Sequence, residues 1–233
     1  MRNLQAVFFD FDGVIADSEP LHLRAYQAVL QADGIDLNKT EYYGRYLGYD
    51  DVGLFEALAK DRRLVLTDEK IQQWVEMKAA IVEDTLKNDS ILFPGAVECV
   101  KLFAERVPLA VASGALGPEI EIVLEHAGIR QYFAAIASAS DGVRGKPAPD
   151  LYLLAIAKLQ GRLPDPFDPG SCIAIEDSHW GLEAARRAGL RCVAVTHTYP
   201  AAELEKADLI VDALSEVTVS KIEELMRDNG AAR

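Results

Sequence analysis

The clearest pattern along the chain is a set of short, unbroken apolar runs, each ending in a polar cluster. Val7-Phe8-Phe9 ends in Asp10-Phe11-Asp12-Gly13. Pro108-Leu109-Ala110-Val111-Ala112 ends in Ser113-Gly114, and Cys172-Ile173-Ala174-Ile175 ends in Glu176-Asp177-Ser178. Continuous apolar runs of this length are how strands of a buried parallel sheet read. Two more strands are predicted over 192–195 and 209–211. Ligands of open α/β sheets bind outside the carboxyl ends of the strands, which is where these polar clusters fall. Side chains alternate along a strand, so Asp10 and Asp12 point to one side while Phe11 points away.

Between the first run and Pro94 the apolar positions change to helical spacing and no strong strand intervenes. Leu21, Ala25, Ala28, Val29 and Ala32 define one helical face, ended by Gly34. A second helix is predicted over 51–60. A third is predicted over 68–87, with Thr67 as N-cap and Ile71, Trp74, Val75, Val82 and Leu86 on its apolar face. Helices inserted after a first strand make a small cap, placed at 18–87 with hinges near Ala16-Asp17 and 88–93.

After Pro94 helix and strand alternate, as a doubly wound sheet requires. Pro118 opens a helix over 118–127 with Gly128 just past its end, and another helix over 182–188 precedes Gly189. The stretch 161–170, with three prolines, reads as a loop. The expected fold class is therefore α/β: a doubly wound, Rossmann-like parallel sheet core from 1–17 and 88–233, with an inserted helical cap domain. The tail from Asp228 is expected to fray.

Composition narrows the class. Half of the 233 residues are hydrophobic, enough for a substantial core, and the net charge of −13 is the opposite of a nucleic-acid footprint. No apolar stretch approaches the roughly 20 residues that span a bilayer. Met1-Arg2-Asn3-Leu4 leads straight into the first strand without a signal-peptide pattern, so a cytoplasmic protein without membrane partners is expected. Cys99, Cys172 and Cys192 are far apart and form no Cys-x-x-Cys pair, so neither a disulfide framework nor a zinc site is indicated. Nothing in the sequence sets the oligomeric state, and a monomer is compatible with it.

One further element carries chemistry: Gly145-Lys146-Pro147-Ala148-Pro149, a lysine in a loop stiffened by two prolines. It is not a nucleotide-binding P-loop, because Pro147 stands where Ser or Thr is needed. Taken in order, Asp10-x-Asp12-Gly13, Ser113 after a strand, Lys146-Pro147-x-Pro149, and Glu176-Asp177-Ser178 with Gly181 resemble the four motifs of the haloacid dehalogenase superfamily. The likeness is to its capped branch of phosphatases and phosphomutases, and it spans nearly the whole chain. Each motif alone is weak; the ordered set is specific.

The resemblance implies that Asp10 attacks the phosphorus of a small phosphorylated metabolite, giving an aspartyl-phosphate, while Asp12 serves as general acid and then general base. Ser113, with the backbone amides of Gly114 and Ala115, would hold phosphate oxygens, and Lys146 would bridge nucleophile and phosphate. Four acids against one lysine would repel a phosphate, so Mg²⁺ is expected. Its ligands would be Asp10, the Asp12 carbonyl and Asp177, with Glu176 a further ligand or a group behind them.

In the cap, His22 is a candidate substrate contact. An anionic substrate also calls for a cation there, with Arg45 or Arg24 as candidates. The β-phosphoglucomutase branch carries cations around a cap glycine. Here Gly48 is flanked by Leu47 and Asp50-Asp51, which favours a phosphatase of a sugar phosphate over a mutase. A non-catalytic metal-binding module on the same fold would be marked by loss of a catalytic residue, and none is lost.

Overall fold

The structure, a computed structural model, describes residues 3–227; the tail from Asp228 lies outside them. The described chain divides into two compact units, one of 1–17 with 90–233 and one of 18–89.

The first unit is built on a sheet of parallel strands: β1 (Ala6–Phe9), β2 (Leu109–Ala112), β3 (Phe133–Ala137), β4 (Cys172–Glu176), β5 (Arg191–Val195) and β6 (Leu209–Val211), in the spatial order β3-β2-β1-β4-β5-β6. β1 is central. Phe9 pairs with Val111 on one side and Ile175 on the other. The chain leaves β1 toward β2 and later crosses to β4, so the strand order reverses at β1 and its carboxyl end opens a crevice.

Alternation along the strands sorts side chains by size. Ala6, Phe8, Ala110, Ala112, Ala135, Ala137, Cys172, Ala174, Cys192 and Ala194 share one core cluster with the buried faces of α7 (Asp150–Gln160) and α8 (His179–Arg187). These mostly small residues let both helices approach closely. Val7, Phe9, Val111, Ile173, Ile175 and Val193, all buried, alternate with them toward the other face. Each large aliphatic or aromatic side chain so buried contributes roughly 2 kcal/mol relative to exposure. The unit is completed by α5 (Ala96–Ala104), α6 (Gly117–His126) and α9 (Val219–Arg227).

The second unit is helical: α1 (Glu19–Gln31), the one-turn α2 (Lys39–Glu41), a wide turn over Tyr42–Tyr46 closed by Leu47 N–H on the Tyr42 carbonyl, α3 (Asp51–Arg62) and α4 (Asp68–Asn88). Thr67 caps α4 by accepting from Lys70 N–H at 3.2 Å, and Asp50 caps α3 by accepting from Gly53 N–H at 2.7 Å. α4 packs against α1 and α3 over a core that includes Tyr26, Val29, Leu30, Phe55, Leu58 and Trp74. The buried face of α1 is Leu21, Leu23, Ala25, Tyr26, Val29 and Leu30. Ala28 and Ala32, expected on that face, are exposed, because the larger side chains one and two positions away win the interior.

Candidate active site

At the carboxyl end of β1, Asp10 is buried; its Oδ1 accepts the Phe11 N–H at 2.7 Å and its Oδ2 lies 2.7 Å from Lys146 Nζ. Lys146 arrives from the loop before α7 and donates also to Glu176 Oε1 at 2.7 Å. Glu176 is the last residue of β4 and fully buried; Asp177 follows it, also buried. Carboxylate oxygens of Asp10, Glu176 and Asp177 lie within 4.8 Å of one another. Asp12 is half-buried, and the bridge from Asp12 to Ala16 folds its loop back on itself.

Three carboxylates facing one ammonium are electrostatically unbalanced. Burial, then the charge of Asp10, pushes Glu176 up to about 8, against the pull of Lys146. The same two causes push Asp177 up to about 6, against a hydrogen bond from Thr198. Burial alone would lower Lys146, but Asp10 and Glu176 outweigh it and raise the ammonium above its ordinary value. A buried set of hard oxygens that retain protons near neutrality is one that a divalent cation fits, since it removes the repulsion that holds the protons on.

Two glycines make room for these acids. Gly13 has φ +76°, and a Cβ there would fall on the Asp177 carboxylate; a Cβ on Gly181 would fall on that of Glu176. A side chain at either position would displace a carboxylate of the cluster.

Ser113, at the end of β2, is buried, and its Oγ accepts the Ala115 N–H at 3.2 Å. The Ala115 amide is thus turned onto the serine itself, while Gly114 is exposed at the approach to α6. Three neighbours complete the cluster: Tyr152 and Thr198, which sequence reading overlooked, and His197, which reads from the sequence as structural. Tyr152 donates to Glu176 Oε1 at 2.6 Å, Thr198 hydrogen-bonds Asp177, and His197 Nδ1 donates to the Gly13 carbonyl at 2.9 Å while stacking on Phe93. For Tyr152 the signal was present: a lone phenol on an otherwise aliphatic helix face needs a partner.

The helical unit has a polar cluster of its own. Lys78, buried on α4, reaches Asp51 Oδ1 at 2.9 Å, and the Tyr26 hydroxyl donates to the same oxygen at 2.5 Å. Lys78 Nζ sits 5.1 Å from the centre of the Tyr26 ring. On α1, His22 Nδ1 is buried with no hydrogen-bond partner among the described residues; burial, then Lys78, lowers its pKa to about 4. Arg45 is 62 % exposed and pairs with Asp61, and Arg24 is exposed. The buried cation of this unit is Lys78. It was legible as a lysine in the apolar row Trp74, Lys78, Val82, Leu86, where i, i+4 spacing puts it on the buried face.

The family profile of haloacid dehalogenase-like hydrolases matches residues 4–189, four-fifths of the chain. The chain belongs to this family. It is 32 % identical over 222 residues to the plasmid-encoded protein CbbY of Cupriavidus necator, covering 89 % of this chain and 84 % of that one. It is also 32 % identical over 231 residues to hexitol phosphatase B of Escherichia coli K12, covering 95 % and 97 %. Among solved structures, a variant of CbbY from Rhodobacter sphaeroides in complex with xylulose-(1,5)bisphosphate superposes with a TM-score of 0.77 at 26 % identity, over 91 % of this chain and 96 % of that one. No helix among the described residues is long and apolar enough to cross a membrane.

Proposed function

We propose that this family member is a Mg²⁺-dependent phosphatase that hydrolyses a small phosphomonoester, a sugar or sugar-alcohol phosphate, through an aspartyl-phosphate. The observation that carries the reading is the juxtaposition of Asp10, Glu176 and Asp177 with Lys146 at the ends of β1 and β4. The substrate class rests on the relatives, one a hexitol phosphatase and one solved with a sugar bisphosphate bound.

In this reading a carboxylate oxygen of Asp10 attacks phosphorus, the ester P–O bond breaks, and Asp12 gives its proton to the departing alkoxide. Asp12 then takes a proton from water, whose oxygen attacks the acyl phosphate; inorganic phosphate leaves and the Asp10 carboxylate is restored. Lys146, already on Asp10, has a third N–H for a phosphate oxygen, and Ser113 with the Gly114 amide orients the others. Asp10, Asp177 and the Asp12 carbonyl would hold the cation, which supplies charge neutralisation and polarises the phosphoryl oxygens. Glu176 already accepts from Lys146 and Tyr152 through Oε1, which favours a place behind the ligands.

Substrate choice is assigned to the helical unit, with His22 as a proposed contact. Its buried cation Lys78 is neutralised by Asp51, so this cluster has no spare positive charge for a second phosphate. That favours a monophosphate hydrolase over a phosphomutase. The test is phosphate release from p-nitrophenyl phosphate with and without Mg²⁺, followed by a panel of hexose, pentose and hexitol phosphates. Isomerisation of glucose 1-phosphate with trace bisphosphate, without phosphate release, would replace hydrolase by mutase.

A further inference from the structure

We infer that Tyr152 is a positioning residue of this site: by holding Glu176 with its hydroxyl and walling Lys146 with its ring, it sets the lysine ammonium against Asp10. The inference rests on the phosphatase reading and adds a residue that the family motifs do not contain.

Tyr152 lies on the buried face of α7 with Leu151, Ala155, Ile156 and Leu159. The interior there is built from alanines and cysteines of the sheet. A phenylalanine would fill the same volume without bringing a hydroxyl into an apolar layer, which is costly unless the hydroxyl is bonded. The bond it makes is to Glu176 Oε1 at 2.6 Å, the same oxygen that takes Lys146 Nζ at 2.7 Å. The ammonium lies 5.3 Å from the centre of the Tyr152 ring. Tyr152 therefore touches both members of the Lys146–Glu176 pair, one by its edge and one by its face.

The geometric consequence follows from what each partner can do alone. Without Tyr152, Lys146 would be the sole donor to Oε1, and that oxygen could shift with the ammonium it holds. Gly181 lets the Glu176 carboxylate lie directly against the α8 backbone, and Oε2 accepts from Ser178 Oγ at a long 3.4 Å, so the strong donors all fall on Oε1. A second donor from a rigid helix pins Oε1 at one point. The ammonium, bound to that point and fenced by the ring, is held 2.7 Å from Asp10 Oδ2. Placement to a fraction of an ångström matters for an interaction that tightens in the transition state.

The test compares Tyr152→Phe with Ile156→Val, a truncation on the same helix face that should cost stability without touching the pair. With p-nitrophenyl phosphate and saturating Mg²⁺ well below the unfolding temperature, Tyr152→Phe is expected to lower kcat about tenfold, the loss of one hydrogen bond to a charged group. Ile156→Val should keep the wild-type kcat, and the Mg²⁺ concentration for half-maximal rate should be unchanged in both. Independently of activity, the Lys146 Nζ protons, shielded by two carboxylates, should give a ¹⁵N-correlated NMR signal in the wild type that is lost to exchange in Tyr152→Phe.

A Tyr152→Phe enzyme with wild-type kcat, or one whose Lys146 signal is unchanged, would overturn the assignment. A wild type that releases no phosphate from any phosphomonoester would remove the phosphatase reading, while the NMR comparison would still decide whether Tyr152 holds Lys146.

Discussion

The two units of this protein contain the same small arrangement twice. In the sheet unit, Lys146 and Tyr152 converge on one oxygen of Glu176; in the helical unit, Lys78 and Tyr26 converge on one oxygen of Asp51. In both the ammonium lies over the tyrosine ring, at 5.3 and 5.1 Å. They differ in what surrounds them. Asp51 and Lys78 balance, and the nearby His22 is held neutral by burial and Lys78. Around Lys146 stand two further acids, Asp10 and Asp177, and burial, then the charge of Asp10, raises the proton affinity of Glu176 and Asp177. A lysine–acid–tyrosine trio by itself is a way to bury a lysine. The uncompensated charge beside one of them is what marks a site for a cation and a phosphoryl group.

The largest effect that would sharpen this contrast is at Asp10. Asp10→Asn should reduce phosphate release by roughly 10⁴-fold or more, the scale of losing a nucleophile, with an unchanged unfolding transition; appreciable turnover would remove its assignment. Lys146→Ala should come next, lowering kcat/KM about 100-fold through weakened phosphate retention. In the helical unit the corresponding change, Lys78→Met, should act mainly on stability. It leaves the Asp51 carboxylate partly buried and unpaired, at a cost of roughly 2 kcal/mol in urea unfolding.

Proton linkage should run in opposite directions in the two units. The folded-state pKa values of Glu176 and Asp177 are raised, so the metal-free sheet unit binds protons that the unfolded chain has released. Its stability should fall as pH rises between about 4 and 8, and Mg²⁺ should remove that slope. The pKa of His22 is lowered to about 4 from 6.5, so the unfolded chain takes up the proton first. The helical unit should lose stability as pH falls through that interval. The chain has two tryptophans, Trp74 on α4 and Trp180 on α8. Trp180→Phe and Trp74→Phe variants therefore report each unit separately by fluorescence, and slopes of equal sign would contradict the contrast. The smallest effect is expected for Tyr26→Phe, about 1 kcal/mol from one lost hydrogen bond, measured by the same unfolding curves.

How much of this was legible in the sequence depends on the physical signal at each element. β1, β2 and β4 were plain because strands buried on both faces are written as unbroken apolar runs. Their acidic or hydroxylic ends have no packing reason to be there. β3, Phe133-Ala134-Ala135-Ile136-Ala137, went unread because alanine has little strand preference and the strand lies at the sheet edge. α7 was hidden behind the two prolines that stiffen the Lys146 loop. In the helical unit the caps Thr67 and Gly34 were readable, but alanines do not say which face is buried, and Ala28 and Ala32 went to solvent. Among the charged residues, Arg45 was conspicuous and pairs with Asp61 at the surface, whereas Lys78 was passed over although its i, i+4 place in an apolar row marks it as buried. Thr198 escaped because what it does depends on a partner far away in sequence, and for Tyr152 the sequence shows that a partner is needed but not which one.

The central claim is that the uncompensated acids at the ends of β1 and β4 form a cation-dependent phosphoryl-transfer site. It is tested most directly by phosphate release from p-nitrophenyl phosphate, measured on the same enzyme before and after chelation and again after Mg²⁺ is restored. The account predicts turnover that is abolished by the chelator and returns with Mg²⁺. Turnover at the same rate throughout would contradict it.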